Sequence, residues 1–158
     1  MSLEIEEKLS NSKFSSGCLC RFFKLDENWG LKLYEYQIDR NKAWEKHQKF
    51  LKHNLAPEIG RKVDLEAGYG YTCEIVETLC QSGDIYPFGY FSHYDYSDYT
   101  YETWHQRRIE IKTSLKEKFG EMLNDFHKKI NKLKLSYCDD HFGNFGLKNG
   151  ELVAIDFA

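Results

Sequence analysis

The chain has 158 residues, 22 Lys plus Arg against 25 Asp plus Glu, and a formal net charge of -3. That length suits one domain or two small lobes sharing a hinge. Hydrophobic residues at 41% and charged residues at 30% exclude a disordered tail and a membrane protein, and the near-neutral balance argues against a bulk nucleic-acid binder, which needs a basic face.

No apolar run approaches the roughly 18 residues of a spanning helix. The start, Met1-Ser2-Leu3-Glu4-Ile5-Glu6-Glu7, is acidic and lacks the basic-then-apolar pattern of a secretory leader. Cys18, Cys20, Cys73, Cys80 and Cys138 form an odd, scattered set without a CxxC pair. Free thiols in a reducing cytoplasm are the expectation, ahead of structural zinc.

Residues 3–36 read as strands. Cys18 to Leu25 is short, apolar-rich and aromatic, Asp26-Glu27-Asn28 is a turn cluster, and Trp29 to Tyr36 alternates again. So short a polar link predicts an antiparallel hairpin. Asp39 reads as an N-cap, and 41–54 as a helix with Ala43, Trp44, His47, Phe50 and Leu51 on one stripe, ended by Pro57. Tyr71 to Leu79 is the next clear strand. The order is that of an antiparallel sheet carrying one helix.

Residues 63–106 contain no Lys or Arg and eight acidic residues, and nine aromatic residues lie between Tyr86 and Trp104. This stretch reads as a folded connection between two lobes. Ile111, Leu115, Phe119, Met122, Phe126, Ile130 and Leu133 then recur in steps of three and four, which predicts a long amphipathic helix from about 104 to 134. Its lysines fall mostly off the stripe, as a solvated face. Asn149-Gly150 predicts a final hairpin, because both positions tolerate positive φ.

The chemistry concentrates in Tyr137-Cys138-Asp139-Asp140-His141-Phe142-Gly143-Asn144 and the later Ile155-Asp156-Phe157. Asp139 and Asn144 have the spacing D-x-x-x-x-N, and Asp156 follows Asn144 by twelve residues across the hairpin. Two oxygen ligands, Asn144 and Asp156, with a nearby base suit Mg²⁺, which keeps waters and takes its remaining ligands from phosphates.

Here the chain resembles the protein-kinase-like superfamily, closest to the aminoglycoside and choline phosphotransferase branch, whose catalytic loop reads D-x-H-x-G-N. Asp139, His141, Gly143 and Asn144 match that loop, and Ile155-Asp156-Phe157 matches the metal-binding motif after it. The resemblance implies an ATP- and Mg²⁺-dependent phosphotransferase acting on a hydroxyl of a small molecule or protein. Asp139 is then the catalytic base, with Asp140 its out-of-register rival. Asn144 and Asp156 hold metal. Lys32, in Trp29-Gly30-Leu31-Lys32, contacts the phosphates, with small Gly30 leaving room for adenine on the same face. Glu45 braces Lys32, and the backbone of Glu77 and Leu79 meets the adenine edge.

Tyr137 and Cys138 depart from the pattern, Ser15-Ser16-Gly17 is the only candidate phosphate loop, and Ala158 follows Asp156 by two residues. The resemblance thus covers nearly all of this chain but only the first part of the family's domain. The expected fold is α+β: residues 1–80 as a kinase-like small lobe, a five-stranded antiparallel sheet with one packed helix, and 81–158 as a reduced helical lobe with a long helix and a C-terminal β-hairpin. The expected partners are a nucleotide and either a cationic small-molecule acceptor or a protein, with no nucleic acid and no membrane. Tyrosines beside Asp84, Asp95, Asp98 and Glu102 suit a cationic acceptor. Apolar surface left by a truncated lobe favours a partner or self-association. The alternative is a weak or inactive kinase-like module that binds nucleotide or a partner, and the third reading is a small α+β structural protein.

Overall fold

The computed structural model describes residues 2–11, 14–16, 20–79, 101–137 and 142–157. The fold is α+β, and the chain divides into two compact units, Met1–Glu77 with Val153–Ala158, and Thr78–Leu152. No helix among the described residues is long and apolar enough to cross a membrane.

The first unit opens with helix α1 (Ser2–Asn11), where the sequence reading expected strand. Ile5 and Leu9 stand four residues apart, so a helix puts both on one face. Ile5 is buried with Phe23, Leu31 and Leu33, and Leu9 packs against that cluster. Glu4 in the first turn and Lys8 in the last complement the helix dipole.

Strands β1 (Phe14–Ser16), β2 (Cys20–Lys24) and β3 (Trp29–Tyr34) follow. The β2–β3 turn is held by Asp26, whose Oδ1 accepts the N–H groups of Asn28 and Trp29, each at 2.8 Å. Those two bonds stabilise the carboxylate and pull its pKa below the usual value.

Helix α2 (Gln37–Leu51) starts before the expected 41. Tyr36 is its N-cap residue and makes no side-chain cap bond, while Asp39 lies inside the first turn. The helix ends because Asn54 adopts φ 60° and the Leu55 N–H returns to the Phe50 carbonyl at 3.0 Å. That is a left-handed cap with a bond across five residues, and it comes before Pro57.

Strands β4 (Ile59–Leu65) and β5 (Gly68–Glu74) complete the sheet. Four strands form its antiparallel body in the order β2-β3-β5-β4, and short β1 pairs outside β2. The single strand expected over 71–79 is broken. β5 stops at Glu74, Ile75 donates its N–H to the Asn28 carbonyl at 2.8 Å, and β6 (Glu77–Thr78) belongs to another sheet.

The sheet has two unlike faces. Leu31 and Leu33 of β3 meet α1 on one side. The opposite side faces α2, which presents the buried residues Arg40, Ala43, His47 and Phe50. Arg40 ties helix to sheet, donating to the carbonyls of Val63 at 3.1 Å and Gly70 at 3.0 Å and pairing with Asp64 at 3.0 Å. The chain's end also joins this unit, as the Ala154 N–H donates to the Leu55 carbonyl at 2.9 Å.

The second unit is built on helix α3 (Tyr101–Lys132). Leu115 and Phe119 are buried on its stripe, with Leu79, Ile111, Met122, Phe142 and Leu147 packed against them. Farther along, Phe126 meets Phe145 edge-on, centroids 5.1 Å apart. Strands β7 (Phe145–Lys148) and β8 (Glu151–Ala154) form the C-terminal hairpin, in a sheet of order β6-β7-β8. Its turn residues Asn149 and Gly150 have φ 53° and 78°, the positive values that the Asn-Gly pair predicts.

Candidate functional site

The sequence alternation of β3 decides what enters the α2-facing side of the sheet. Gly30, Lys32 and Tyr34 point there, opposite Cys73, Tyr71 and Tyr69 of β5. On the other flank, Phe22 of β2 stands opposite Lys32, and Cys20 opposite Tyr34. The result is a cluster of polar and ionisable side chains in which Lys32, Tyr34, Tyr71 and Cys73 are buried.

Lys32 is only 6% exposed. Its ammonium donates to the carbonyl of Ile155 and lies 5.2 Å from the ring centroid of Phe157 and 5.9 Å from that of Tyr71. Burial works against the charge, but the acidic groups Tyr71, Cys73, Cys20 and Asp156 outweigh it and hold the lysine above its ordinary range. Burial also pushes the acids up, Tyr71 to about 12 and Cys20 to about 11, with Cys73 and Tyr34 moved the same way. At neutral pH these four are therefore protonated.

His47 fixes the rear of the cluster. Its Nε2 lies 2.7 Å from the Pro57 carbonyl and its Nδ1 3.0 Å from the Tyr71 hydroxyl. A carbonyl only accepts, so Nε2 carries the proton and Nδ1 accepts from Tyr71. Burial, followed by the charge of Lys32, depresses this histidine to about 3, so the neutral tautomer persists. Phe157 stacks at a tilt on His47, centroids 4.5 Å apart. The hydroxyl of Tyr34 is buried and has no hydrogen-bond partner among the described residues.

Of the residues expected in the site, Lys32 and Asp156 are brought together, in the first unit. Glu45 is not brought to Lys32. Residues 40, 43, 47 and 50 form the buried face of α2, Glu45 is exposed, and the lysine instead meets the carbonyl of Ile155. Nor does Gly30 leave open space, because the ring of Phe22 lies over it. A Cβ at Gly30 would fall 2.1 Å from the Phe22 Cζ. Glu77 is exposed in β6. The N–H of Leu79 is already taken by the Phe145 carbonyl at 3.3 Å.

Asn144 belongs to the second unit, buried in the 3₁₀ turn Phe142–Asn144. The Tyr137 hydroxyl donates to its backbone carbonyl at 3.1 Å, so this tyrosine braces the turn. Asp139, with Cys138, Asp140 and His141, lies outside the described residues, as do Gly17, Cys18, Cys80 and the acidic aromatic stretch 80–100. Cys20 and Cys73 are free thiols.

Among the described residues, no three or more His, Cys, Asp or Glu side chains converge as a metal centre. The amide oxygen of Asn144 and the carboxylate of Asp156 are hard donors of the type Mg²⁺ takes. Sequence reasoning missed His47, Tyr71, Tyr34 and Phe22 as members of the cluster. The available signal was the two-residue alternation around Lys32, which sends Gly30 and Tyr34 to its side. No family model matches the chain, and no curated protein matches it.

Proposed function

We propose that this chain is a kinase-like phosphotransferase whose charged centre is the Lys32–Asp156 pair. One observation carries the reading. A buried lysine on the central strand donates its ammonium to the carbonyl of Ile155, 123 residues away and directly before the Asp156 carboxylate. Holding a buried ammonium needs a reason, because desolvation opposes it. Neutralising the negative charge of transferring phosphates is such a reason. An antiparallel sheet with a helix between its third and fourth strands also supports a kinase-like small lobe.

ATP supplies the phosphoryl group in this reading, and Mg²⁺ the compensating charge. Lys32 binds the phosphates and Asp156 the metal. Asn144 is assigned as the second metal ligand, and Asp139 as the group that orients and deprotonates the acceptor hydroxyl. The test is thermal stabilisation by ATP with and without Mg²⁺, repeated for Lys32→Ala and Asp156→Ala. Stabilisation that needs Mg²⁺ and is lost in both variants is the expected result. An unchanged melting temperature at every ATP concentration would end the reading. ATP turnover compared with Asp139→Asn then tests catalysis.

A second reading is favoured by the solvent position of Glu45 and the Phe22 ring over Gly30. On those grounds the chain binds nucleotide without turning it over. Mg²⁺-dependent ATP stabilisation with no turnover, in the wild type and in Asp139→Asn alike, selects it.

A further inference from the structure

Within the nucleotide reading, on which this inference rests, we propose that Phe22 gates the base subsite, so that a nucleobase enters only when this ring leaves Gly30. The geometry is specific. Gly30 and Lys32 lie on one face of β3, and Phe22 lies opposite Lys32 on β2. Its ring does not stand over its own cross-strand partner. It leans along the sheet onto the Cα of Gly30, where a Cβ would fall 2.1, 2.6 and 3.0 Å from Cζ, Cε2 and Cε1. The ring thus uses a position of this face that lacks a side chain. A planar aromatic resting on a bare backbone occupies the space a planar base needs.

The ring is also able to leave. Phe22 is only partly buried, unlike Phe23 beside it, which is 4% exposed and locked in the core under α1. A rotamer change at a partly exposed aromatic needs no rearrangement of the sheet. The phosphate side differs, because the groups around Lys32 are held by the Ile155 carbonyl and two aromatic rings. The gate therefore acts on the base and not on the phosphates. Closure lowers apparent affinity by the fraction of molecules in which the ring has left.

The experiment is a calorimetric titration of the whole chain with Mg²⁺·ATP, adenosine and Mg²⁺·tripolyphosphate. The proteins are the wild type, Phe22→Ala, Phe22→Leu and Lys32→Ala. Phe22→Leu keeps apolar cover without the planar ring, and guards against a folding defect in Phe22→Ala. The expected result is that both Phe22 variants tighten ATP and adenosine by about tenfold, with Phe22→Ala the stronger, while tripolyphosphate binding stays at the wild-type value. Equal gains for tripolyphosphate would overturn the gate, because the effect would then not concern the base. If ATP binds the wild type in a Lys32-dependent way and neither Phe22 variant tightens it, the gate falls and the nucleotide reading stands. If ATP binds none of the proteins, both fall.

Discussion

Along β3, successive residues enter two interiors of opposite chemistry. Leu31 and Leu33 join Ile5 and Phe23 in an apolar layer under α1. Lys32 and Tyr34, just as buried, join Tyr71, His47 and Cys73 under α2. Burial is equal on the two sides, so burial alone does not separate packing from function. The difference lies in what burial does to each group. Apolar side chains gain by leaving water, whereas an ammonium is penalised by burial even when bonded, and the Tyr34 hydroxyl has no partner among the described residues. The α1 face explains why the sheet is stable, and the α2 face contains what stability alone does not require.

At neutral pH that contrast predicts its largest effect on the apolar side. Leu31→Ala should lower unfolding free energy by about 3–4 kcal/mol, the range for a fully buried leucine in a site that cannot collapse. Urea denaturation measures it. A loss below about 1 kcal/mol would mean that α1 does not cover this face in solution.

Gly30→Ala comes next. The new methyl meets the Phe22 ring at 2.1 Å, and forced repacking destabilises by about 1–3 kcal/mol. The same change in a Phe22→Ala background should be close to neutral, because the obstacle is gone. The double-mutant cycle should therefore show strong coupling. Additive effects would place the ring elsewhere in solution.

The polar face should also give the protein a pH dependence that the apolar face cannot. Burial holds His47 at about 3 when folded, against an ordinary value of 6.5. Above 6.5 neither state binds a proton there, and the contribution of this group is fully present. Between 6.5 and 3 the unfolded chain takes up a proton that the folded one refuses. Stability then falls by about 1.4 kcal/mol per pH unit. His47→Gln should remove this slope, and the window from pH 6.5 to 5 isolates it from most carboxylates. The cysteines offer a smaller effect of the same origin. With Cys20 pushed up to about 11 and Cys73 also raised, neither should be alkylated by iodoacetamide at pH 7.5 until the chain unfolds. Mass spectrometry of the peptides reads this directly.

What the sequence disclosed follows the same division. The stripe of α3 and the Asn149-Gly150 turn were legible because local rules set them, a three-to-four residue period and two positive φ values. Strand β4 was not placed, although its residues alternate between half-buried and exposed, because Arg61 interrupts the apolar positions. The stripe of α2 is legible in large part: Ala43, His47 and Phe50 of the expected face are buried, with Arg40 added to them, while Glu45 is exposed. The motif order singles out Lys32 and Asp156, but it does not disclose the Phe22 ring, which leans over Gly30 on a neighbouring strand.

The smallest expected change in stability is the most informative for function. Lys32→Met keeps the length and apolar stem of the side chain and removes the charge. Removing one partner of an ion pair is costly when the other is left buried, but Asp156 is half-buried and keeps access to water. Unfolding free energy should therefore stay within about 1 kcal/mol of the wild type, while Mg²⁺-dependent stabilisation by ATP disappears. This pairs directly with Leu31→Ala one residue earlier, where stability falls and the polar cluster keeps its chemistry. A loss of several kcal/mol in Lys32→Met would reverse the comparison. It would show that the bond from Lys32 to the Ile155 carbonyl serves to anchor the chain's last residues on the sheet, and the buried ammonium would then have a structural reason to be there.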